Sequence, residues 1–400
     1  MSKKQLFVSL VVAIVLTGMM AGFAEAQPNV GSVSKRGSLL IFPQIYTANH
    51  IDQGVTIFDT IVQIGNDAAK PVTVKCYWMD WAQNTWDFEF TLTPYQPVWF
   101  SAKTGEGSIN VSPFGVDLQG ELKCWAVDTS TDPESLRQFN YLYGSATLLP
   151  DTSGISTIVF EYNAWAFALR SQPANPTGPL TLNGTTDYDA CPAYLSYNFF
   201  ASGSSILDET FVGPTWLALS PCQQDLRQDR SPVCTKAKYD IWNENESKFT
   251  GAHQCIKCTS FYFHGIYPLE VLGQSFATWG GCDLGTKCKP VGVGGSKFSK
   301  AVLHTDMGRF RVTPSTFSAC SGVFAKLGQD AKTVVDVCSS ANQYQTPFVG
   351  VLMTSIFPGD LGQQQVVGSV GVGAGSWTAP KPIPQILWDA DTGTVNAAKR

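Results

Sequence analysis

The chain has 400 residues with 15% charged side chains, 12% aromatic side chains and a formal net charge of −5. No basic block occurs in it, so the sequence lacks the positive patch typical of nucleic-acid binding and excludes that class of partner. The low charge and the many aromatic residues favour β-structure over helical bundles. The length indicates two domains, taking about 150 residues as a typical domain.

The first 26 residues have the three parts of a cleavable secretory signal peptide. Lys3 and Lys4 form a positive start, an uncharged apolar run covers 6–20, and Ala-Glu-Ala at 24–26 precedes the predicted cut. The apolar run is shorter than the roughly 20 residues that span a bilayer. We therefore expect an exported protein in the periplasm, on the outer surface or outside the cell, with no membrane span in the mature chain.

Residues 27–170 are predicted to form an N-terminal antiparallel β-sandwich of the immunoglobulin-like kind. Short runs that alternate apolar and polar residues, bounded by turn residues, predict half-buried strands. Seven or eight strands at this spacing are typical of a sandwich. The predicted strands cover 38–42, 56–64, 72–78, 86–92, 97–102, 120–128, 141–149 and 157–169.

Residues 171–190 are rich in Pro, Gly, Asn and Thr, which predicts a linker or a long surface loop. Residues 191–362 are predicted to form a second, Cys-rich β-sandwich domain with disulfide-bonded loops, and 363–400 a Gly- and Pro-rich extended tail. The second domain has predicted strands at 215–219, 238–242, 258–263, 300–304, 309–313 and 349–356, and a short helix within 321–337.

Two of the eleven cysteines, Cys76 and Cys124, lie in predicted strands of the first domain. An aromatic residue follows each of them, Tyr77 and Trp125 respectively. This pattern predicts an inter-sheet disulfide packed by Trp, as in immunoglobulin-like domains, with two separate buried thiols as the alternative.

The other nine cysteines crowd between 191 and 338, where an exported protein is expected to form disulfides. Spacing alone does not determine connectivity, and the odd total leaves one cysteine over. The sequence suggests local pairs, with Cys191 as the odd residue and Cys255 and Cys258 as further disulfide candidates. The local pairs are Cys222 with Cys234, Cys282 with Cys288, and Cys320 with Cys338.

The Cys255-Ile-Lys-Cys258 motif has alternative interpretations. Four thiolates from Cys255, Cys258, Cys282 and Cys288 would suit zinc, but the second pair is spaced too widely for a typical site. Thiol-redox chemistry expects a βαβ context, which the sequence does not show. We expect no cofactor, and the metal prediction stays open at these four residues.

No catalytic constellation is evident, because the chain has no nucleophile elbow, zinc-protease motif or P-loop and only four histidines. We therefore predict no catalytic residue and a protein that is not an enzyme. A group of tryptophans is the remaining indication of function, because exposed tryptophans can stack on sugar rings, although most tryptophans are buried in cores. These candidates are Trp78, Trp81, Trp86 and Trp99.

Several segments resemble a family of exported, β-rich bacterial proteins that has no assigned activity. These are GSLLIFP at 37–43, KCYW at 75–78, LTPYQPVWFSA at 92–102, ELKCWAVD at 121–128, YNAWAF at 162–167 and YDIWNENE at 239–246. The resemblance implies export and a similar architecture, and it implies no catalytic residues.

Together these features predict an exported, non-enzymatic envelope or extracellular protein that acts through surface interactions, in assembly or adhesion. Its partner would be a protein, a glycan or a second copy of the chain. One alternative is a glycan-binding β-sandwich module. A second alternative is a zinc or thiol-redox protein that uses Cys255 and Cys258.

Overall fold

The structure, a computed structural model, is mainly β. Its described residues contain nineteen strands and one helical turn, Lys300–Leu303. No helix in this described part is both long and apolar enough to cross a membrane. The described residues are 29–47, 57–80, 84–116, 118–130, 134–150, 159–172, 182–201, 204–207, 210–222, 235–256, 261–263, 300–315, 347–358 and 365–369.

The first half of the chain supplies ten strands. They are β1 (Leu39–Thr47), β2 (Ile57–Asn66), β3 (Val72–Asp80), β4 (Thr85–Leu92), β5 (Pro97–Ser101), β6 (Leu118–Asp128), β7 (Ser135–Leu136), β8 (Leu142–Pro150), β9 (Phe160–Asn163) and β10 (Trp165–Phe167). The second half supplies nine: β11 (Leu195–Phe200), β12 (Ser205–Leu207), β13 (Thr210–Pro221), β14 (Thr235–Asn243), β15 (Lys248–Ile256), β16 (Phe261–Phe263), β17 (Met307–Ser315), β18 (Phe348–Pro358) and β19 (Gln365–Ser369).

These strands form four antiparallel sheets. The first sheet has the order β10-β1-β6-β3-β4, with β7 paired to β6, and the second has the order β5-β2-β8-β9. The third sheet has the order β11-β17-β14-β15. The fourth has the order β12-β13-β18-β19, with β16 paired to β13.

The first sheet is buried on both faces, as β6 illustrates. Leu122 and Ala126 belong to a core cluster shared with the second sheet. Trp125 and Val127 point the other way, into a cluster shared with residues of the third and fourth sheets. Because both faces are covered, even the polar residues Gln119, Glu121 and Lys123 of β6 are buried.

The two halves of the chain therefore share a hydrophobic core. Trp125 lies in the same cluster as Tyr239 and Phe310 of the second half. Trp165 Nε1 donates a hydrogen bond of 3.0 Å to the carbonyl oxygen of Gly350. The division into two sandwich domains at these boundaries stays a prediction, but the described parts of both halves pack on one another.

Several predicted elements differ in detail from the structure. The single strand predicted over 157–169 is divided at Ala164, because β9 pairs in the second sheet and β10 in the first. The strand predicted at 300–304 is wrong, since this segment forms the helical turn Lys300–Leu303, which His304 follows with φ 57°.

The loop and tail predictions are tested only in part. Tyr188, inside the predicted linker, is buried, and Ala190 forms a bridge with Val30, so this portion packs against the first half. Part of the predicted tail forms β19, which pairs with β18. The predicted signal peptide and the predicted helix at 321–337 lie outside the described residues.

Candidate functional site

The first disulfide joins Cys76 to Cys124 within one sheet. The two residues are directly opposed on β3 and β6, with Cα atoms 4.0 Å apart. The predicted inter-sheet location is therefore wrong, because the bond links neighbouring strands. Both cysteines face the second sheet, where Trp78 lies in the same cluster, whereas Trp125 points to the opposite face.

The second disulfide joins Cys191 to Cys222, with Cα atoms 6.1 Å apart. The predicted pairing of Cys222 with Cys234 and the prediction of Cys191 as the odd cysteine are both wrong. Both bonded residues belong to the core cluster that the two halves share, so tertiary packing brings them together rather than nearness in sequence.

The remaining cysteine predictions are not tested. Cys255 lies in β15 opposite Lys236, and the other candidate cysteines lie outside the described residues. These are Cys234, Cys258, Cys282, Cys288, Cys320 and Cys338. Within the described part of the chain, no group of three or more His, Cys, Asp or Glu residues is placed to hold a metal ion.

The candidate tryptophans do not form one exposed row. Trp78 is completely buried, and its indole Nε1 donates a hydrogen bond of 2.9 Å to the Ser112 carbonyl, so the prediction that it stacks on sugar is wrong. Trp86 is half-buried and stacks on Phe114 at a centroid distance of 5.3 Å. Trp81 lies outside the described residues, which leaves Trp99 as the exposed candidate.

Trp99 lies on the outer face of the second sheet and is 48% exposed. The alternation of β5 and β2 explains this placement, because Val98, Phe100 and Val62 point inward to the core. Across the sheet, Trp99 is opposite Gln63. We call the outward group the Trp99 face, and its members are Gln63, Trp99, Tyr143, Ser145 and Asn163.

The backbone of Trp99 is held on its outer edge by Ser108. The Trp99 N–H donates to Ser108 Oγ at 2.8 Å, and the Trp99 carbonyl accepts from the Ser108 N–H at 2.9 Å. A side chain at Gly107 would collide with the Trp99 carbonyl, so glycine permits this close approach. The indole itself makes no hydrogen bond and no ring contact with other described residues.

Asp59 orders the turn that follows β5. One carboxylate oxygen accepts from the Thr60 N–H at 2.7 Å and the Lys103 N–H at 3.0 Å, and the other accepts from the Ser101 hydroxyl at 2.5 Å. Burial raises the pKa of Asp59, against the opposing effect of these hydrogen bonds. Two of these hydrogen bonds hold local backbone and the third holds the Ser101 side chain, which gives this carboxylate a structural role.

Three exposed tyrosines each contact one of the residues 65–68, which lie at and just after the end of β2. The Tyr143 ring lies against Gly65 and beneath the Arg36 guanidinium, whose carbon is 5.7 Å from the ring centroid. Tyr95 is 65% exposed, has φ 58°, and donates its N–H to the Ala68 carbonyl. Tyr141 is 49% exposed, and its backbone carbonyl accepts a hydrogen bond from the Asp67 N–H.

Sequence reasoning missed these tyrosines because it considered only tryptophans. A usable signal was present, since Tyr143 alternates with the inward residues Leu142 and Gly144 along one strand. An aromatic side chain at an outward position of a strand is a candidate for surface recognition.

No protein-family model and no curated protein matches the chain. One solved structure, titled the crystal structure of Thermotoga maritima 1070, matches 33% of this chain and 95% of its own length at 8% identity. The TM-score is 0.23, and a similarity of this size supports no conclusion about fold or function.

Proposed function

We propose that this chain is an exported, non-enzymatic protein that acts by adhesion through its surface, and that the Trp99 face is its contact surface. The exposed indole of Trp99 carries this proposal. Its backbone is fixed by two hydrogen bonds to Ser108, so the ring projects outward from a rigid strand. Because the backbone is already ordered, binding a partner costs the conformational freedom of the Trp99 side chain alone.

Export is supported by the two disulfides together with the predicted signal peptide. Disulfides persist in oxidising compartments and are rare in the cytosol. A β-sandwich arrangement of the first half is likewise a proposal. Its support is the core cluster to which the first and second sheets both contribute inward side chains.

A glycan is the partner that the Trp99 face suits best. Trp99 and Gln63 are opposed, and Ser145 and Asn163 continue the same row across the sheet. The flat face of an indole can cover the apolar face of a pyranose ring. The neighbouring amide and hydroxyl groups can form hydrogen bonds with sugar hydroxyls, as the few polar groups of a ligand site do.

Retention on insoluble neutral polysaccharides tests the proposal, with wild type, Trp99→Ala and Tyr141→Ala compared. Tyr141 is 49% exposed, close to the 48% of Trp99, and it is not a member of the Trp99 face, so it serves as a matched control. We expect Trp99→Ala to lose at least about tenfold in affinity, which corresponds to roughly 1.4 kcal/mol. The Tyr141→Ala variant should retain wild-type binding.

Light scattering separates adhesion to glycan from assembly. If the wild type is not retained on any glycan and the particle size of Trp99→Ala is smaller than that of the wild type, the Trp99 face is a self-association surface. Equal glycan retention and equal particle size for Trp99→Ala and wild type would overturn the role of this face.

A further inference from the structure

The outer face of the third sheet concentrates positive charge in a chain whose net charge is negative. On the central strand β14, Asp240 is opposite Arg311 of β17, and Trp242 is opposite Arg309 of β17. On its other side, Trp242 is opposite Lys248 of β15. Lys238 lies two residues before Asp240 and therefore shares this face. We call this group the cationic face, and its members are Lys238, Asp240, Trp242, Lys248, Arg309 and Arg311.

Asp240 is the single carboxylate among these six residues, and it is buried beneath the cations. Its carboxylate oxygens lie 3.1 Å from Lys248 Nζ, 3.6 Å from Arg311 Nη2 and 4.0 Å from Lys238 Nζ. Four cations and one carboxylate leave three positive charges in excess, because 4 − 1 = 3. Two further carboxylates, Glu244 and Glu246, lie in the turn that joins β14 to β15, at one end of the face.

Aromatic rings fix the positions of two of these cations. The Arg311 guanidinium carbon is 5.4 Å from the Tyr194 ring centroid and 5.7 Å from that of Trp242. Lys248 Nζ is 5.2 Å from the Trp242 centroid. Cation–π contacts hold such side chains in one orientation, so the charges are arranged before any partner binds.

The charges form an array rather than a single pocket. Arg309 and Lys248 lie on strands separated by β14, so their Cα atoms are about 10 Å apart across the sheet. Lys238 lies four residues from Trp242 along β14, which is about 14 Å in an extended strand. An array of this size matches a chain with repeated negative charges better than it matches one small anion.

We propose that the cationic face binds an acidic polysaccharide, a linear glycan that carries carboxylate or sulfate groups. The cations would pair with the acidic groups, and the partly exposed ring of Trp242 would contact a sugar face. A membrane surface fits less well, because the large exposed hydrophobic residues of the described chain all lie before 160, outside the third sheet. This face is separate from the Trp99 face, so the two proposals fail independently.

Calorimetry tests this proposal by comparing binding to two acidic glycans, heparin and polygalacturonate, with binding to neutral dextran. We expect Trp99→Ala, which lacks the ring proposed to bind neutral glycans, to bind both acidic glycans and not dextran, and we expect the wild type to bind both acidic glycans. Raising the salt concentration from about 0.15 M to about 1 M should abolish binding, because the Debye length falls from about 8 Å to about 3 Å.

A charge-neutralising variant, Lys238→Gln with Arg309→Gln, should weaken binding by roughly tenfold or more. Both side chains are exposed, so the substitutions should leave the fold intact. The matched control is Lys70→Gln with Lys103→Gln, which removes the same charge elsewhere and should retain wild-type affinity. Trp99→Ala should also bind the acidic glycans normally.

Three results would overturn the proposal. One is absence of wild-type binding to both acidic glycans at low salt, and another is an equal loss in the control pair. The third is binding to vesicles of phosphatidylglycerol or to single-stranded DNA that exceeds binding to either glycan, which would assign the charges to a different polyanion.

Discussion

Cys76 and Cys124 form a disulfide between directly opposed residues of β3 and β6. The bond crosses one strand pair of the first sheet and faces the core that this sheet shares with the second sheet. It closes a segment that contains β4 and β5, and β5 carries Trp99. The disulfide therefore limits the freedom of the unfolded segment that carries Trp99.

Removing this disulfide should destabilise the protein strongly. For a sequence separation of 48 residues, the chain-entropy relation gives a stabilisation of about 4 kcal/mol. We expect Cys76→Ala with Cys124→Ala to lower the free energy of unfolding in urea by about this amount. Each single variant should lose nearly as much as the double variant, because either substitution breaks the bond. A double variant as stable as the wild type would contradict the expectation.

The sequence predicted the central strands of the first sheet but not what covers them. The predicted strands at 72–78 and 120–128 lie within β3 and β6, whose apolar residues point to two different cores. Alternation alone cannot show that both faces of a sheet are covered. The sequence therefore favoured two separately enclosed sandwiches, and the structure places Trp125 in a core that includes Tyr239 of the second half.

The cysteine pairing and the exposure of each tryptophan could not be predicted from spacing. Cys191 and Cys222 meet because both border the shared core, which no local pattern indicates. Trp78 and Trp99 both occur in strands of aromatic-rich sequence, but one faces the core and the other faces outward. Only the pairing of β5 with β2 shows which face of that strand is the outer one.

Lys123 is a completely buried lysine between the first sheet and the fourth. Its ammonium donates to the Pro221 carbonyl at 3.2 Å and lies 3.5 Å from a carboxylate oxygen of Glu121. Removing one member of a buried ion pair typically costs about 3–5 kcal/mol, because it leaves the other charge in the core. We expect Lys123→Met to lower the free energy of unfolding by a value in this range.

A second substitution distinguishes loss of the charge pair from loss of packing. In Lys123→Met with Glu121→Gln, no uncompensated carboxylate remains, so stability should partly recover relative to Lys123→Met alone. Lys70→Met, at an exposed lysine, should change stability by less than about 0.5 kcal/mol. Failure of the double variant to recover any stability would assign the loss to packing.

Asp59 should make stability depend on pH in the acidic range. Burial raises its folded pKa above the ordinary value of 3.8, so the folded state holds the proton more tightly than the unfolded state does. Stability from this group therefore increases as pH falls through the raised folded pKa, and it levels off below the unfolded pKa. Above the folded pKa, the ionised carboxylate costs stability relative to a neutral group.

Asp59→Asn isolates this effect, because the amide does not titrate and keeps an oxygen for the Thr60 and Lys103 N–H groups. The measurement is urea unfolding of both proteins from neutral pH to below 3.8. We expect the unfolding free energy of the wild type minus that of Asp59→Asn to rise as pH falls. A difference that stays constant or decreases would contradict the raised pKa.

Tyr143 on β8 is directly opposite Gly65 on β2. A Cβ at Gly65 would collide with the Tyr143 ring, which lies beneath the Arg36 guanidinium. In Gly65→Ala the ring must move away, so we expect a loss of about 1 kcal/mol, at the low end for overpacking because the ring is partly exposed.

A double-mutant cycle shows whether the ring causes this loss. In a Tyr143→Ala background the Cβ meets no ring, so Gly65→Ala should cost less there than in the wild type, with a coupling energy of at least about 0.5 kcal/mol. Urea unfolding of the four proteins measures this coupling. Equal costs in both backgrounds would place the strain in the β2 backbone, and Gly65 would then be required for its conformation rather than for the space it leaves to Tyr143.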